Sequence, residues 1–175
     1  MLDQGVLVIA DAGDTVVRSL HLIGGAIFVG GMVMLGVTAA SARGVVADSE
    51  RIALLRLIGR RFLWLGGIAL LVAIATGSDM ASDRDAWDQL TDTTYGKTLL
   101  AKLILVGVVV VLTAVHSFVQ GPALSRLREQ ALAEPENTEL QAAIRRRGAQ
   151  AGIVSVLNLV AALAILVLAA RLVTL

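Results

Sequence analysis

The sequence contains no cysteine, few prolines and few aromatic side chains. Without cysteine the chain can form no disulfide, no thiolate metal site and no cysteine nucleophile. Aromatic residues make up only 3% of the 175 residues, which leaves few side chains to stack against bases, and the net charge of +1 does not indicate nucleic acid. We therefore expect neither a disulfide-stabilised fold nor a nucleic-acid partner.

Charge is also scarce, because only 17% of the residues are charged whereas 57% are hydrophobic. Soluble domains usually contain about 25% charged and about 45–50% apolar residues. The mean hydropathy is +0.80. This composition excludes an ordinary soluble globule, a disordered tail and a collagen-like fibre, and the length suits a single domain.

Almost all of the hydrophobicity lies in four segments, residues 15–40, 61–77, 97–119 and 151–173. A membrane-spanning helix needs about 20 apolar residues to cross about 30 Å of hydrocarbon. The second segment is shorter, but its helical pattern continues upstream to about Ser49. None of the segments has the polar face that a helix of a soluble bundle needs. The sequence therefore predicts an all-α integral membrane four-helix bundle that forms one domain over residues 1–175.

The charges of the connections predict the orientation of these helices. Residues 78–96 contain five aspartates and a single arginine, whereas ten of the 15 basic residues lie in the other two connections. Short basic loops stay in the cytosol, so we expect both termini and the acidic loop outside. The first helix is expected to be retained, because residues 1–14 lack the basic region of a secretory signal.

One region outside the spans is expected to have structure of its own. Residues 122–150 contain two helical stretches separated by Glu134-Pro135-Glu136-Asn137. Asn137 is a suitable N-cap for the second stretch, which continues into the fourth span. We predict a small cytosolic helical hairpin over these residues.

Seven of the 17 glycines are clustered in the first two spans, at Gly24-Gly25, Gly30-Gly31, Gly36 and Gly66-Gly67. Small residues let helix backbones approach closely in lipid, where packing drives association. We interpret most of these glycines as helix contacts without a functional role.

Polar side chains within the spans are the main functional signal, because such residues are unfavourable in lipid. Their positions predict two layers. The outer layer contains Arg18, His21, Asp79, Met80 and Lys102, and the inner layer contains His116, Gln150 and Asn158. The only two histidines thus differ in depth by about 15–20 Å, which argues against one haem held between them.

His21 is the strongest candidate ligand. Its helical stripe continues through Gly25, Phe28 and Met32, and a histidine with nearby methionine is a suitable ligand set for copper(I). An imidazole is also a common axial ligand of haem, and a hydrogen bond to a neighbouring helix is the simpler alternative. The candidate metal ligands are His21, Met32 and Met80. The candidate cofactor-binding residues are His21, Lys102 and His116.

No other chemistry is indicated. The chain has no dinucleotide fingerprint, no phosphate-binding loop and no zinc-binding His-Glu-x-x-His helix. No catalytic residue can be assigned, and the pattern does not decide whether the protein is an enzyme.

Two motifs carry a family resemblance. They are Leu20-His21-Leu22-Ile23-Gly24 with Phe28-Val29-Gly30-Gly31, and Tyr95-Gly96-Lys97-Thr98-Leu99-Leu100-Ala101-Lys102-Leu103 followed by Pro122. They resemble the first helix and the third-helix entry of the copper resistance D family. The resemblance implies a bacterial inner-membrane bundle for copper uptake or tolerance, often beside a periplasmic copper-binding protein.

The chain departs from that family at two places. Phe28 stands where tryptophan is common, and His116-Ser117 stands where an asparagine-arginine pair is usual. The third span contains a lysine followed by a histidine, Lys102 and His116. This pattern is similar to that of the related four-helix protoporphyrinogen oxidases, which hold haem b.

Three functions follow as alternatives. The first is copper handling or transport, and the second is a haem b protein for electron transfer or porphyrin oxidation. The third is a cofactor-free subunit that docks with other membrane subunits in the lipid bilayer.

Overall fold

The computed structural model describes residues 2–175, with side chains from residue 12 onward. Within this range the chain forms helices and no strand. The elements are α1 (Leu2–Ser41), α2 (Asp48–Ser82), a 3-10 turn (Ala86–Gln89), α3 (Thr94–Ala114), a π-helical turn (Val115–Gln120), α4 (Gly121–Ala133) and α5 (Thr138–Val173). The predicted all-α fold is confirmed.

Four helical stretches are long and apolar enough to cross a membrane: Ala12–Ser41, Asp48–Ser82, Thr94–Ala133 and Thr138–Val173. Their outer faces are apolar, and Trp64, Leu71 and Val167 remain 71%, 68% and 68% exposed. An apolar exterior of this extent is suited to lipid, so the predicted four-helix membrane bundle is also confirmed. We call the end that carries the α2–α3 connection the acidic end and the opposite end the arginine end.

Local hydrogen bonds explain where the helices begin and turn. The Asn137 side chain accepts a hydrogen bond from the Leu140 N–H at 3.0 Å and caps α5, as predicted. Thr93 accepts from the Gly96 N–H at 2.9 Å and caps α3. In the α1–α2 connection, Gly44 has a φ of +78°, a backbone conformation that favours glycine.

Gly96 is required by close packing. A Cβ at this position would overlap the carbonyl oxygen of Gln89 and lie 2.9 Å from the Cα of Leu90. The start of α3 can therefore lie against the 3-10 turn only because residue 96 has no side chain. This contact gives a structural reason for the glycine of the Tyr95-Gly96 pair.

The bundle is held together by two helix pairs, α1 with α2 and α3 with α5. Between them lies a central cluster, which we call the apolar layer. Its buried members are Phe28, Val109, Ala161 and Ala162, and its partly buried members are Val29, Met32, Phe62, Leu70, Leu105 and Ile165. The rings of Phe28 and Phe62 stack with their centroids 6.2 Å apart. At the arginine end, an ion pair between Arg56 and Glu129 joins α2 to α4.

The clustered glycines have two different environments. A Cβ on Gly24 would lie 2.6 Å from the Ala69 carbonyl oxygen, and one on Gly31 would overlap the Phe62 ring. These glycines are helix contacts, as predicted. The prediction was wrong for a second group, because nothing lies within 4 Å of a Cβ built on Gly25, Gly30, Gly36 or Gly67. The α1–α2 contact uses only one face of each helix, and the second group lies off those faces.

The π-helical turn comes directly before Pro122. Proline has no N–H and its ring displaces the carbonyl one turn earlier, so a regular α-helix cannot continue unchanged through it. Here the Gly121 N–H bonds to the His116 carbonyl oxygen, five residues earlier. The chain remains helical into α4, with a wider turn at His116.

Candidate functional site

His21 is anchored to the neighbouring helix through one ring nitrogen. Its Nδ1 lies 2.8 Å from the Ala73 carbonyl oxygen of α2 and 3.3 Å from the Thr76 hydroxyl oxygen. A carbonyl can only accept a hydrogen bond, so Nδ1 carries the proton and donates it. The Nε2 atom of neutral His21 then has a free lone pair. A metal-ligating histidine has this arrangement, in which the other ring nitrogen donates to the protein.

Small residues of α2 make room for this ring. A Cβ on Gly77 would lie only 2.8 Å from the Cε1 atom of His21. The Thr76 hydroxyl donates to the Val72 carbonyl at 2.6 Å, and its oxygen therefore remains available to the His21 N–H. The imidazole thus packs closely against Ala73, Thr76 and Gly77. Their part in the site could not be singled out from the sequence, because small residues are common throughout the spans.

Lys102 of α3 is within electrostatic reach of His21. It is partly buried, and within the described residues no carboxylate forms an ion pair with it. His21 and Lys102 therefore influence each other electrostatically. A cation held at His21 would experience the positive charge of Lys102.

Between His21 and the acidic end of the bundle, α1 and the end of α2 border a cleft of about 140 Å³. We call it the outer cleft; it is lined by Asp14, Val17, Arg18, Met80, Asp83 and Arg84. Asp14 and Arg18 are 3.8 Å apart in an exposed ion pair. Met80 is partly buried and follows Thr76 by one helical turn. Met80 therefore lies on α2 one turn beyond the residues that contact the imidazole of His21.

Met32 has a different neighbourhood. It packs against the apolar layer and lies about 16 Å further along α1 than His21, at 1.5 Å per residue. Its sulfur is 3.4 Å from Nδ2 of Asn158, which also donates to the Thr113 hydroxyl at 2.9 Å. The structure thus brings Met32 to Asn158 of the predicted inner layer and not to His21.

His116 lies on the other helix pair. It belongs to the π-helical turn, and its Nδ1 is 3.5 Å from the Ser155 hydroxyl oxygen of α5. That hydroxyl donates to the Ala151 carbonyl at 2.9 Å. The apolar layer lies between His21 and His116, so the two rings are in different parts of the bundle.

No group of three or more His, Asp or Glu side chains suited to a metal ion is found among the described residues.

Comparison with known proteins indicates the family. No curated protein and no solved structure matches the chain. The family model described as copper resistance protein D matches residues 56–172. This range covers most of α2 and nearly all of α3 to α5. The chain is therefore a multi-helix membrane protein that belongs to the copper resistance protein D family.

Proposed function

We propose that this protein binds copper(I) at the acidic end of the bundle and transports it toward the arginine end. The observation that carries the proposal is the contact of His21 Nδ1 with the Ala73 carbonyl oxygen at 2.8 Å, because a proton on Nδ1 leaves the lone pair of Nε2 free to bind a metal. Imidazole and thioether are both good ligands for copper(I). His21 and Met80 are accordingly the proposed first ligands.

The outer cleft is the proposed entrance. Its two carboxylates, Asp14 and Asp83, would draw a cation toward the thioether of Met80. Arg18 and Arg84 line the same cleft and reduce its negative potential. An entrance with little net charge suits brief capture of an ion and not its storage.

Lys102 supports transport over permanent binding. Like charges near a binding site weaken the binding of a cation, and the ammonium group of Lys102 lies within electrostatic reach of His21. A copper ion at His21 would therefore be held by soft ligands and opposed by a fixed charge. Such a site can release its ion.

Met80→Leu is expected to weaken binding of silver(I), a redox-inert substitute for copper(I), by about tenfold, because leucine keeps the volume but lacks the soft sulfur donor. Isothermal titration of the purified protein in detergent measures the effect. Met34→Leu is the matched control, since Met34 is 65% exposed on the outer face of α1. Equal affinities of the two variants would remove Met80 from the site.

The absorbance spectrum separates copper from the haem alternative. We expect purified protein to lack a Soret band and to bind copper(I) under reducing conditions, as measured by elemental analysis. A stoichiometric Soret band would contradict the proposal and select haem b as the cofactor.

We further propose that the acidic end faces the periplasm, with both termini outside the inner membrane, because the arginine-rich connections favour the cytosol. A periplasmic copper-binding protein is then a suitable donor to the outer cleft. Exposed Thr91 and Ala133 lie at opposite ends of the bundle. Thr91→Cys should react with an impermeant thiol reagent added to intact spheroplasts, and Ala133→Cys should not. The reverse labelling pattern would overturn the orientation.

A further inference from the structure

Two buried acceptors lack hydrogen-bond donors, and both lie toward the arginine end of the α3–α5 pair. Among the described residues, the buried side-chain N and O atoms without a partner are Oδ1 of Asn158 and Oε1 of Gln120. Asn158 is only 6% exposed. An unsatisfied acceptor is especially unfavourable in lipid, where no solvent can supply a donor. The two acceptors lie about two helical turns apart along the same helix pair, and together they point to a ligand that this region takes up.

Polar side chains connect the two acceptors along the contact between α3 and α5. Thr113 meets Asn158 at 2.9 Å, and one turn nearer the arginine end His116 meets Ser155 at 3.5 Å. One turn further, Gln120 lines a cavity of about 50 Å³ with Val119, Arg147 and Gln150. We call this set the polar seam; its members are Thr113, His116, Gln120, Gln150, Ser155 and Asn158.

The seam has room for water. A buried water needs roughly 10–15 Å³ of such space and two or more polar partners, and the cavity beside Gln120 exceeds this volume. The π-helical turn also changes the backbone hydrogen bonding at His116, and such turns frequently occur at functional sites.

The seam ends at the apolar layer. Met32 packs on this layer, and its sulfur lies 3.4 Å from Nδ2 of Asn158. On the other side of the layer is His21, about 16 Å away along α1. Within the described residues of the apolar layer, Met32 carries the one thioether. It is therefore the soft donor placed between the His21 site and the seam.

We propose that the polar seam is the inner half of a cation pathway, in which water reaches Asn158 from the arginine end and copper(I) passes from His21 by way of Met32. This inference rests on the proposed function, because it names the route by which the ion bound at His21 leaves. The Oδ1 atom of Asn158 contacts the ion or accepts a hydrogen bond from a water molecule that accompanies it. His116 and Gln120 then continue the polar path to the surface.

The first test measures water access and requires no copper. The chain has no native cysteine, so Thr113→Cys can be compared with Val111→Cys, whose position two residues away is 60% exposed on the outer face of α3. A charged methanethiosulfonate added from the arginine end should modify Thr113→Cys and not Val111→Cys. Failure to modify Thr113→Cys would overturn the hydrated seam.

The second test measures silver(I) binding and silver(I) flux in proteoliposomes. Asn158→Leu and Thr113→Val each remove a polar group of the seam while keeping similar volume. Both variants should keep wild-type silver(I) binding at His21. We expect the silver(I) flux to fall about tenfold, because each substitution removes a polar group that would stabilise the ion within the lipid interior. If one variant folds poorly, the other still tests the seam.

The outcomes separate this inference from the proposed function. Normal binding and normal flux in both variants would overturn the seam as the pathway and leave the His21 site standing. Reduced binding in both would also overturn it, because the seam would then belong to the binding site itself. A wild-type protein that binds no silver(I) would overturn the proposed function and this inference together.

Discussion

His21→Ala is expected to abolish silver(I) and copper(I) binding at the acidic end, with a loss in affinity of at least about 100-fold. The imidazole supplies the nitrogen ligand, and its Nδ1 bond to the Ala73 carbonyl at 2.8 Å fixes the ring in the binding orientation. Among the described residues that line the outer cleft, the thioether of Met80 is then the one soft donor left. Titration of purified protein in detergent measures the loss, and size-exclusion chromatography verifies that the variant remains folded.

His116→Asn is the matched control for this experiment. His116 is the other histidine of the chain, and the apolar layer separates it from His21. Asparagine keeps a polar group opposite Ser155, so we expect unchanged binding at the acidic end. Loss of bound metal in His116→Asn alone would instead locate the binding centre in the polar seam. Unchanged binding in both variants would mean that neither histidine holds the metal, and it would overturn the His21 site.

Gly24→Val is expected to disrupt both the α1–α2 contact and metal binding. The Cβ of a residue at 24 would lie 2.6 Å from the Ala69 carbonyl oxygen and 3.3 Å from the Ala73 Cβ. Because backbone atoms cannot move aside as a flexible side chain can, the two helices must separate. Overpacking of this kind destabilises by about 1–3 kcal/mol. We expect a lower unfolding temperature in detergent and at least about tenfold weaker silver(I) binding, since the His21 bond to Ala73 lies one turn away.

The adjacent glycine provides the control. Nothing lies within 4 Å of a Cβ built on Gly25, so Gly25→Val adds the same side chain to the same helix without a clash. We expect it to bind silver(I) as the wild type does. If Gly24→Val also binds normally, the position of His21 does not depend on the close approach of α1 and α2.

The two glycines also illustrate a limit of sequence reasoning. Small residues in a span predict close packing, but adjacent positions on a helix point about 100° apart. Gly24 faces α2 and Gly25 does not. Which glycine makes the contact depends on the rotation of α1 about its axis, and that rotation is set by the partner helix.

The candidate site shows the same difference between what the sequence predicts and what helix packing decides. The depth of His21, Lys102 and Met80 is predicted by counting residues along each span, whereas the contacts that His21 makes with α2 appear only in the structure. The predicted stripe from His21 to Met32 is a real helical face, yet the two residues contact different helices. Helical periodicity gives direction and depth along one helix but carries no information on which neighbour occupies that face.

The sequence by itself determined the membrane fold and the separation of acidic and arginine-rich ends, and it predicted the polar layers. Hydropathy and charge act through the solvent, so each segment reveals these properties independently of its neighbours. Only the tertiary structure decided that His21 donates to Ala73, that Met32 meets Asn158, and that two buried amide oxygens share one seam. These features depend on contacts between residues that are distant along the chain, and such contacts exist only once the helices have packed.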